Sequence, residues 1–237
     1  MAQRQTRNNI ASRARSQDDK AEVRNAFIAA GRKLLAEGDP SQMSLRRIAS
    51  EAGYAPAAIY RYFDNQQDLF FHVRAERLQL ASRHVREVVG KTRDPKRRLK
   101  KLLLAVTDYW LTNMDDFDVL FLSSAMKVPS GDVDDTPFGR SAVALEGLGM
   151  YYDAVDAFFD HMERMPMPPR LAADILIAAV HGTIAFPYLT PSMRWSNRRK
   201  MVITLWSSLL QQWCQDGGYQ PMNKKTTLAT SKIRAGD

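Results

Sequence analysis

The sequence predicts an all-α chain, and three features point that way. Between Ser44 and Phe63 two short helical patterns flank a turn, a single long helical period follows from Asn65 to about Gly90, and beyond it apolar stripes recur at helical spacing, separated by Gly, Pro and Asp. The expected layout is a three-helix unit over 18–64, joined by the long helix to a larger all-helical domain over 65–216. A basic, disordered arm over 1–17 precedes them and a polar, disordered tail over 217–237 follows.

The arm carries Arg4, Arg7, Arg13 and Arg15 but lacks the apolar surface to fold alone. It reads either as a solubilising tail or as an extension lying along a polyanion. Helix 1 is expected from Asp18 or Asp19 to Glu37, with Val23, Phe27, Leu34 and Leu35 on one stripe. Acidic residues at its start suit the positive end of the helix dipole, and Gly38, Asp39 and Pro40 end it. Phe27 is expected to pack against Ile48 and Ile59.

In SLRRIASEAGYAPAAIYRYF, Ser44–Phe63, the side chains of Leu45, Ile48 and Ala49 share one face while Arg46, Arg47 and Glu51 point away from it. Gly53 supplies the left-handed position at which a helix ends. Pro56 fits the first turn of a second helix carrying Ala57, Ala58, Ile59, Tyr60, Arg61 and Tyr62. Two short helices joined by such a turn are the helix-turn-helix pattern, whose second helix enters the DNA major groove; an ordinary helical hairpin is the alternative.

These residues carry a resemblance. Ser44, Ile48-Ala49, Ala52-Gly53, Tyr60 with Phe63, and Asp68-Leu69 resemble, in order and spacing, the N-terminal DNA-binding domain of the TetR family of transcriptional regulators, and with helix 1 the likeness spans Ala21 to Phe70. The chain departs from the family pattern at Ala55, where Ser or Thr is frequent, at Ala57 and Ala58, which offer methyls only, and at Gln66, where a Lys is usual. The resemblance implies an N-terminal three-helix helix-turn-helix domain joined by a long helix to an all-helical regulatory and dimerisation domain. It also implies a homodimer on a palindromic double-stranded operator. DNA-facing candidates are Arg46, Arg47, Ala55, Ala57, Ala58, Tyr60, Arg61, Tyr62 and Gln66.

Asn65 with Asp68 resembles a reciprocal cap for the long helix, which carries Leu69, Phe70, Val73, Leu78 and Val85. The densest cationic run follows: Lys91, Arg93, Lys96, Arg97, Arg98, Lys100 and Lys101. It reads as a solvated face or as a phosphate contact. Asp94 caps and Pro95 opens a helix through Leu99, Leu102, Leu103, Val106, Tyr109 and Trp110. A second apolar stretch runs from Phe117 to Met126, a loop is expected over 129–139, and a helix from about Ser141 to Met165.

The last two helices are expected over Pro169 to about Phe186 and Ser196 to about Cys214. By the resemblance they form a four-helix dimer interface through Ile175, Ala179, Leu205, Trp206, Leu209 and Trp213; internal core helices are the alternative. Ligand-lining candidates are Tyr109, Trp110, Phe117, Phe121, Met150, Tyr151 and His181, aromatic and Met side chains that serve cores and adaptable cavities alike. His181, in an apolar helix, needs a hydrogen-bond partner from the protein or from a ligand.

Composition sets the remaining bounds. The apolar fraction of 45% over 237 residues supports a real core, and the formal charge of +8 favours a polyanionic partner. A single cysteine, Cys214, forms no internal disulfide and fits a reducing compartment. No apolar run was expected to reach the roughly 20 residues that span a bilayer, so the expectation is a soluble, cytoplasmic protein without a membrane partner. The four histidines, His72, His84, His161 and His181, show neither catalytic nor metal-ligand spacing. No enzyme activity, cofactor or metal is expected. The function so read is sequence-specific transcriptional regulation, as a repressor released from its operator by a small apolar or aromatic effector. A non-sequence-specific architectural DNA-binding protein is the alternative.

Overall fold

The computed structural model describes the backbone of residues 2–37, 43–122 and 138–222, and the side chains of residues 18–35, 43–122 and 138–222. The loop expected over 129–139 and the far tail therefore fall almost wholly outside the described residues. The described residues form two compact units, one from Met1–Leu78 and Asp115–Phe138, the other from Gln79–Met114 and Gly139–Asp237.

In the first unit, α1 spans Ala2–Glu37. It is helical well before the expected start at Asp18, because Ala, Arg and Gln extend an existing helix at one hydrogen bond per residue without a new nucleus. Phe27, Ile28, Ala30, Leu34 and Leu35 are buried along it. At Gly31 a Cβ would stand 2.7 Å from the Leu69 side chain, so the absent side chain is what admits that neighbour. The helix α2, Leu45–Glu51, starts where the Ser44 hydroxyl accepts from the Arg47 amide at 3.2 Å. It ends in a Schellman motif: Gly53 takes φ 79° and donates to the Ser50 carbonyl at 3.1 Å, while Tyr54 donates to Ala49 at 2.9 Å.

The second element of the pair is tighter than expected. In place of an α-helix from Pro56 to Tyr62, the chain makes a turn and one 3-10 segment, Ile59–Arg61, held by i→i+3 bonds from Ala58 to Ala55, Arg61 to Ala58 and Tyr62 to Ile59. Ala58, the residue ahead of that segment, has no side-chain cap, and Ala55 could not have supplied one. Phe63 then donates to Ile59 at 3.1 Å, and both side chains are buried.

The helix α3, Gln66–Val89, begins with the expected cap. Asp68 donates its amide to the Asn65 side chain at 2.9 Å, and its carboxylate accepts from the Asp64 amide at 3.2 Å, one residue earlier than a standard capping box. One core joins Phe27, Ile48, Ile59, Phe63, Leu69 and Val73, with Val119 among them. Val119 comes from a short α5, Met114–Phe117, continued as a π turn over Asp118–Leu122. Arg74 donates to the Leu120 carbonyl at 2.8 Å and lies 4.0 Å over the Phe138 ring, and Arg77 pairs with Asp116 at 3.5 Å.

In the second unit, α4 (Pro95–Thr112) is capped by Asp94, which accepts from the Arg97 amide at 2.7 Å. It packs with α6 (Ala142–Phe159), α7 (Pro169–Leu189) and α8 (Arg198–Gly217). Ser141 and Asn197 cap α6 and α8 as side-chain acceptors. A fork of two hydrogen bonds, 2.6 and 3.1 Å, joins Arg199 of α8 to Asp108 of α4.

Two further expectations are corrected here. α7 is long and apolar enough, by length and composition, to cross a membrane, although no such run was expected. One face of it, Ala172, Ala173, Leu176, Val180, Ile184 and Pro187, is buried inside the unit. The tail expected to be disordered from Gly217 instead folds back at first. Gly218 takes φ 64°, Tyr219 bridges to Met162, and Gln220 donates to the His161 carbonyl at 2.7 Å. A Cβ on Gly217 would clash with the Met162 sulfur, so a larger residue there would block that return. Residues 223–237 lie outside the described residues.

Candidate nucleic-acid interface

The Ser44 cap and the Gly53 turn fix α2 and the 3-10 segment so that their apolar sides enter one core and the rest faces out. Leu45, Ile48, Ala49 and Ile59 are buried, whereas Arg46, Arg47, Ala55, Ala57, Tyr60 and Arg61 are exposed. Tyr60 is 53% exposed although it neighbours a wholly buried Ile59. Among the described residues Arg46, Arg47 and Arg61 form no ion pair, so no described carboxylate neutralises that edge.

Three candidates stand differently. Tyr62 is half-buried with its ring 5.5 Å from Phe27, Ala58 packs partly against the core, and Gln66 is half-buried at the first position of α3. Tyr54 was missed. It is 38% exposed, its ring stands edge-on to Phe27 at 5.2 Å, and its position directly after Gly53 was the signal available. Lys33 pairs with Glu51 at 2.6 Å, anchoring the last turn of α2 to α1. Beside that pair a cleft of about 690 Å³ is walled by Arg32, Arg77, Asp115 and Asp116, and burial pushes the Asp116 carboxyl up against the opposing field of Arg32. On α3, burial and then Arg24 lower the His72 pKa, and Asp68 only partly offsets them.

The ligand-lining candidates divide between the units. Phe117, wholly buried, and Phe121, 46% exposed, belong to the first, with ring centroids 5.0 Å apart. Tyr109, Trp110, Met150, Tyr151 and His181 belong to the second. There Trp110 is buried, 5.0 Å from the Tyr109 ring and 6.4 Å from His181, and His84 extends the row at 5.3 Å from Tyr109. His181 Nδ1 donates to the Ile177 carbonyl at 2.8 Å, and burial holds its pKa below the usual imidazole value. Met150 is half-buried, and burial pushes the Tyr151 phenol up, its hydroxyl having no hydrogen-bond partner among the described residues.

The interface candidates also divide. Trp206 and Trp213 turn into their own unit, the latter edge-on to Phe159 at 5.7 Å, because α8 buries the face that also carries Val202 and Leu210. Leu205 is 39% exposed, and Leu209, Ile175 and Ala179 are half-buried. Along α7 an outer stripe of Leu171, Ala178, Gly182, Phe186 and Leu189 stays exposed at spacings of three, four or seven residues. Among the described residues no group of three or more His, Cys, Asp or Glu side chains is placed to hold a metal.

Residues 27–73 match the model of the bacterial regulatory proteins, tetR family. In fold the chain is similar to SmeT, the repressor of the Stenotrophomonas maltophilia multidrug efflux pump SmeDEF, at 16% identity and TM-score 0.61, covering 84% of this chain and 94% of that one. It is similar to the transcriptional regulator FadR from Bacillus subtilis in complex with stearoyl-CoA, at 17% identity and TM-score 0.56, covering 78% and 95%. NalD, the secondary repressor of the MexAB-OprM multidrug efflux pump in Pseudomonas aeruginosa, is similar at 20% identity and TM-score 0.55, covering 82% and 96%. No curated protein matches the chain.

Proposed function

We infer, from the membership of this chain in the tetR family of bacterial regulatory proteins, that it is a homodimeric, operator-specific repressor released from DNA by a small effector. The observation that carries the reading is the pairing of an inward Ile59 with an outward Tyr60 and Arg61 on one rigid turn, beside the unpaired Arg46 and Arg47 of α2. Arginines at that edge supply phosphate contacts that set register, Tyr60 adds a ring and a hydroxyl at base edges or sugar, and Ala55 and Ala57 let the backbone approach closely. One short reading segment covers few base pairs. Two related by a twofold axis read an inverted repeat.

The open stripe of α7 beside the outer residues of α8 is the surface we assign to the twofold contact. An apolar or aromatic effector suits the row of His84, Tyr109, Trp110 and His181 in the second unit. Stearoyl-CoA on FadR and the efflux-pump repressors SmeT and NalD support a lipophilic class. The helix α3 contributes to both units without interruption, so an effector that favours one tilt of it biases the reading surface, and operator affinity falls by the coupling energy.

Selection of bound duplexes from a random library tests the reading. A recovered inverted repeat whose binding drops about tenfold or more in Tyr60→Ala at fixed salt supports it. Equal, strongly salt-dependent binding to all duplexes, indifferent to Tyr60, would replace it with architectural DNA binding.

A further inference from the structure

We propose that the groove between α4 and α8 is a binding site for a small phosphate-bearing ligand, separate from both the DNA-facing surface and the aromatic row. The groove encloses about 340 Å³ and is walled by Lys96, Lys100, Ser207, Gln211, Cys214 and Gln215. Two ammonium groups, a hydroxyl and two carboxamides offer donors from several directions, and no carboxylate lies among these described walls. Two cations facing one space match a dianionic phosphate, and the volume leaves room for the organic group that carries it.

The lysines are not explained by the fold. Lys100 is exposed and forms no ion pair among the described residues, and the Lys96 ammonium rests 5.0 Å over the Tyr219 ring. Cations beside the C-terminal turns of a helix can serve its free carbonyls. Three of the four carbonyls in the last turn already have donors: Cys214 accepts from Gly218 and Tyr219, Asp216 from the Arg164 side chain, and Gly217 from the Arg164 amide. The Asp216 carboxylate accepts from Gln212 and the Asp94 carboxylate from the Arg97 amide. In α4 itself Lys96, Arg97, Arg98, Lys100 and Lys101 crowd the first two turns, where the helix dipole and mutual repulsion both disfavour positive charge. A bound anion offsets both.

Cys214, the single cysteine of the chain, is a half-exposed wall of the groove and reports its occupancy. The full-length protein is alkylated with neutral iodoacetamide at constant ionic strength while ribose 5-phosphate is titrated, with ribose, inorganic phosphate and duplex DNA as parallel arms. Ribose 5-phosphate is expected to slow alkylation saturably and ribose to leave it unchanged. Lys100→Gln should raise the half-saturating concentration about tenfold, and Arg98→Gln, an equal loss of charge outside the groove, should not. Inorganic phosphate matching ribose 5-phosphate supports the site and assigns its affinity to the phosphate alone. Absence of saturation, equal shifts in the two variants, or protection by duplex DNA only would overturn the proposal.

Discussion

The two units dispose of their apolar residues in opposite ways. The first turns Phe27, Ile48, Ile59, Phe63 and Leu69 fully inward and shows Arg46, Arg47 and Arg61 outward, so its free surface suits a polyanion. The second builds a core from Leu99, Val155, Phe158, Leu176 and Trp213 and still leaves Leu171, Phe186 and Leu189 exposed along α7. Asp174 interrupts the line after Leu171, but Ala178, Gly182, Phe186 and Leu189 follow one another at helical spacing, and such a patch costs solubility unless something covers it. The first unit encloses its aliphatic core and presents cations, whereas the second encloses a core and leaves apolar side chains of α7 uncovered among the described residues.

The largest break in that contrast is Phe27→Ala. It empties the centre of the first core, contacted edge-on by Tyr54, Tyr62 and Phe63, and should cost about 3–5 kcal/mol. Chemical denaturation should show the loss, together with absent DNA binding. Phe186→Asp on the α7 stripe should act at a distance from DNA. Sedimentation is expected to show monomers, with operator affinity lowered about a hundredfold because two linked half-sites become one, while the monomer's helical content stays unchanged. A dimer persisting in that variant removes α7 from the interface.

Gly53→Ala sharpens the comparison within the first unit. With φ at 79° the methyl group meets no neighbour, so the penalty is backbone strain alone, about 1–2 kcal/mol, read as a lower denaturation midpoint. The smallest effect is in pH. His72 and His181 both have folded pKa values below 6.5, burial being the first cause in each. Their neutral forms therefore stabilise the fold fully above the unfolded value, and that contribution is lost as pH falls from about 6.5 through the folded values. A thermal melt series from pH 8 to pH 5 should show Tm falling at the acid end, with a shallower fall in His72→Gln.

How much of this was legible depends on range. Ser44, Gly53, Asn65 with Asp68, and Asp94 announce their caps within a few residues, since each bonds a backbone group three to five positions away. The second reading element was legible as a position but not as a conformation, because Pro56 and two alanines leave α and 3-10 bonding close in energy. The candidate aromatic cluster was read as one group, although Phe117 and Phe121 go to the first unit and Trp110 to the second. Their types suit either core.

The sequence by itself determined an all-helical chain, its caps and turns, and the helix-turn-helix with its outward cations, because those features rest on periodicity and on bonds between near neighbours. Only the tertiary structure decided that Val119 completes the first core, that Gly31 admits Leu69, that Trp206 and Trp213 turn inward while Leu205 faces out, and that Tyr219 returns to Met162. On α8, Leu205, Trp206, Leu209, Leu210 and Trp213 spread over a wide apolar arc, and the arc alone does not say which side is buried. The surfaces of α4, α6 and α7 choose, since burial is a property of what lies opposite and not of the residue itself.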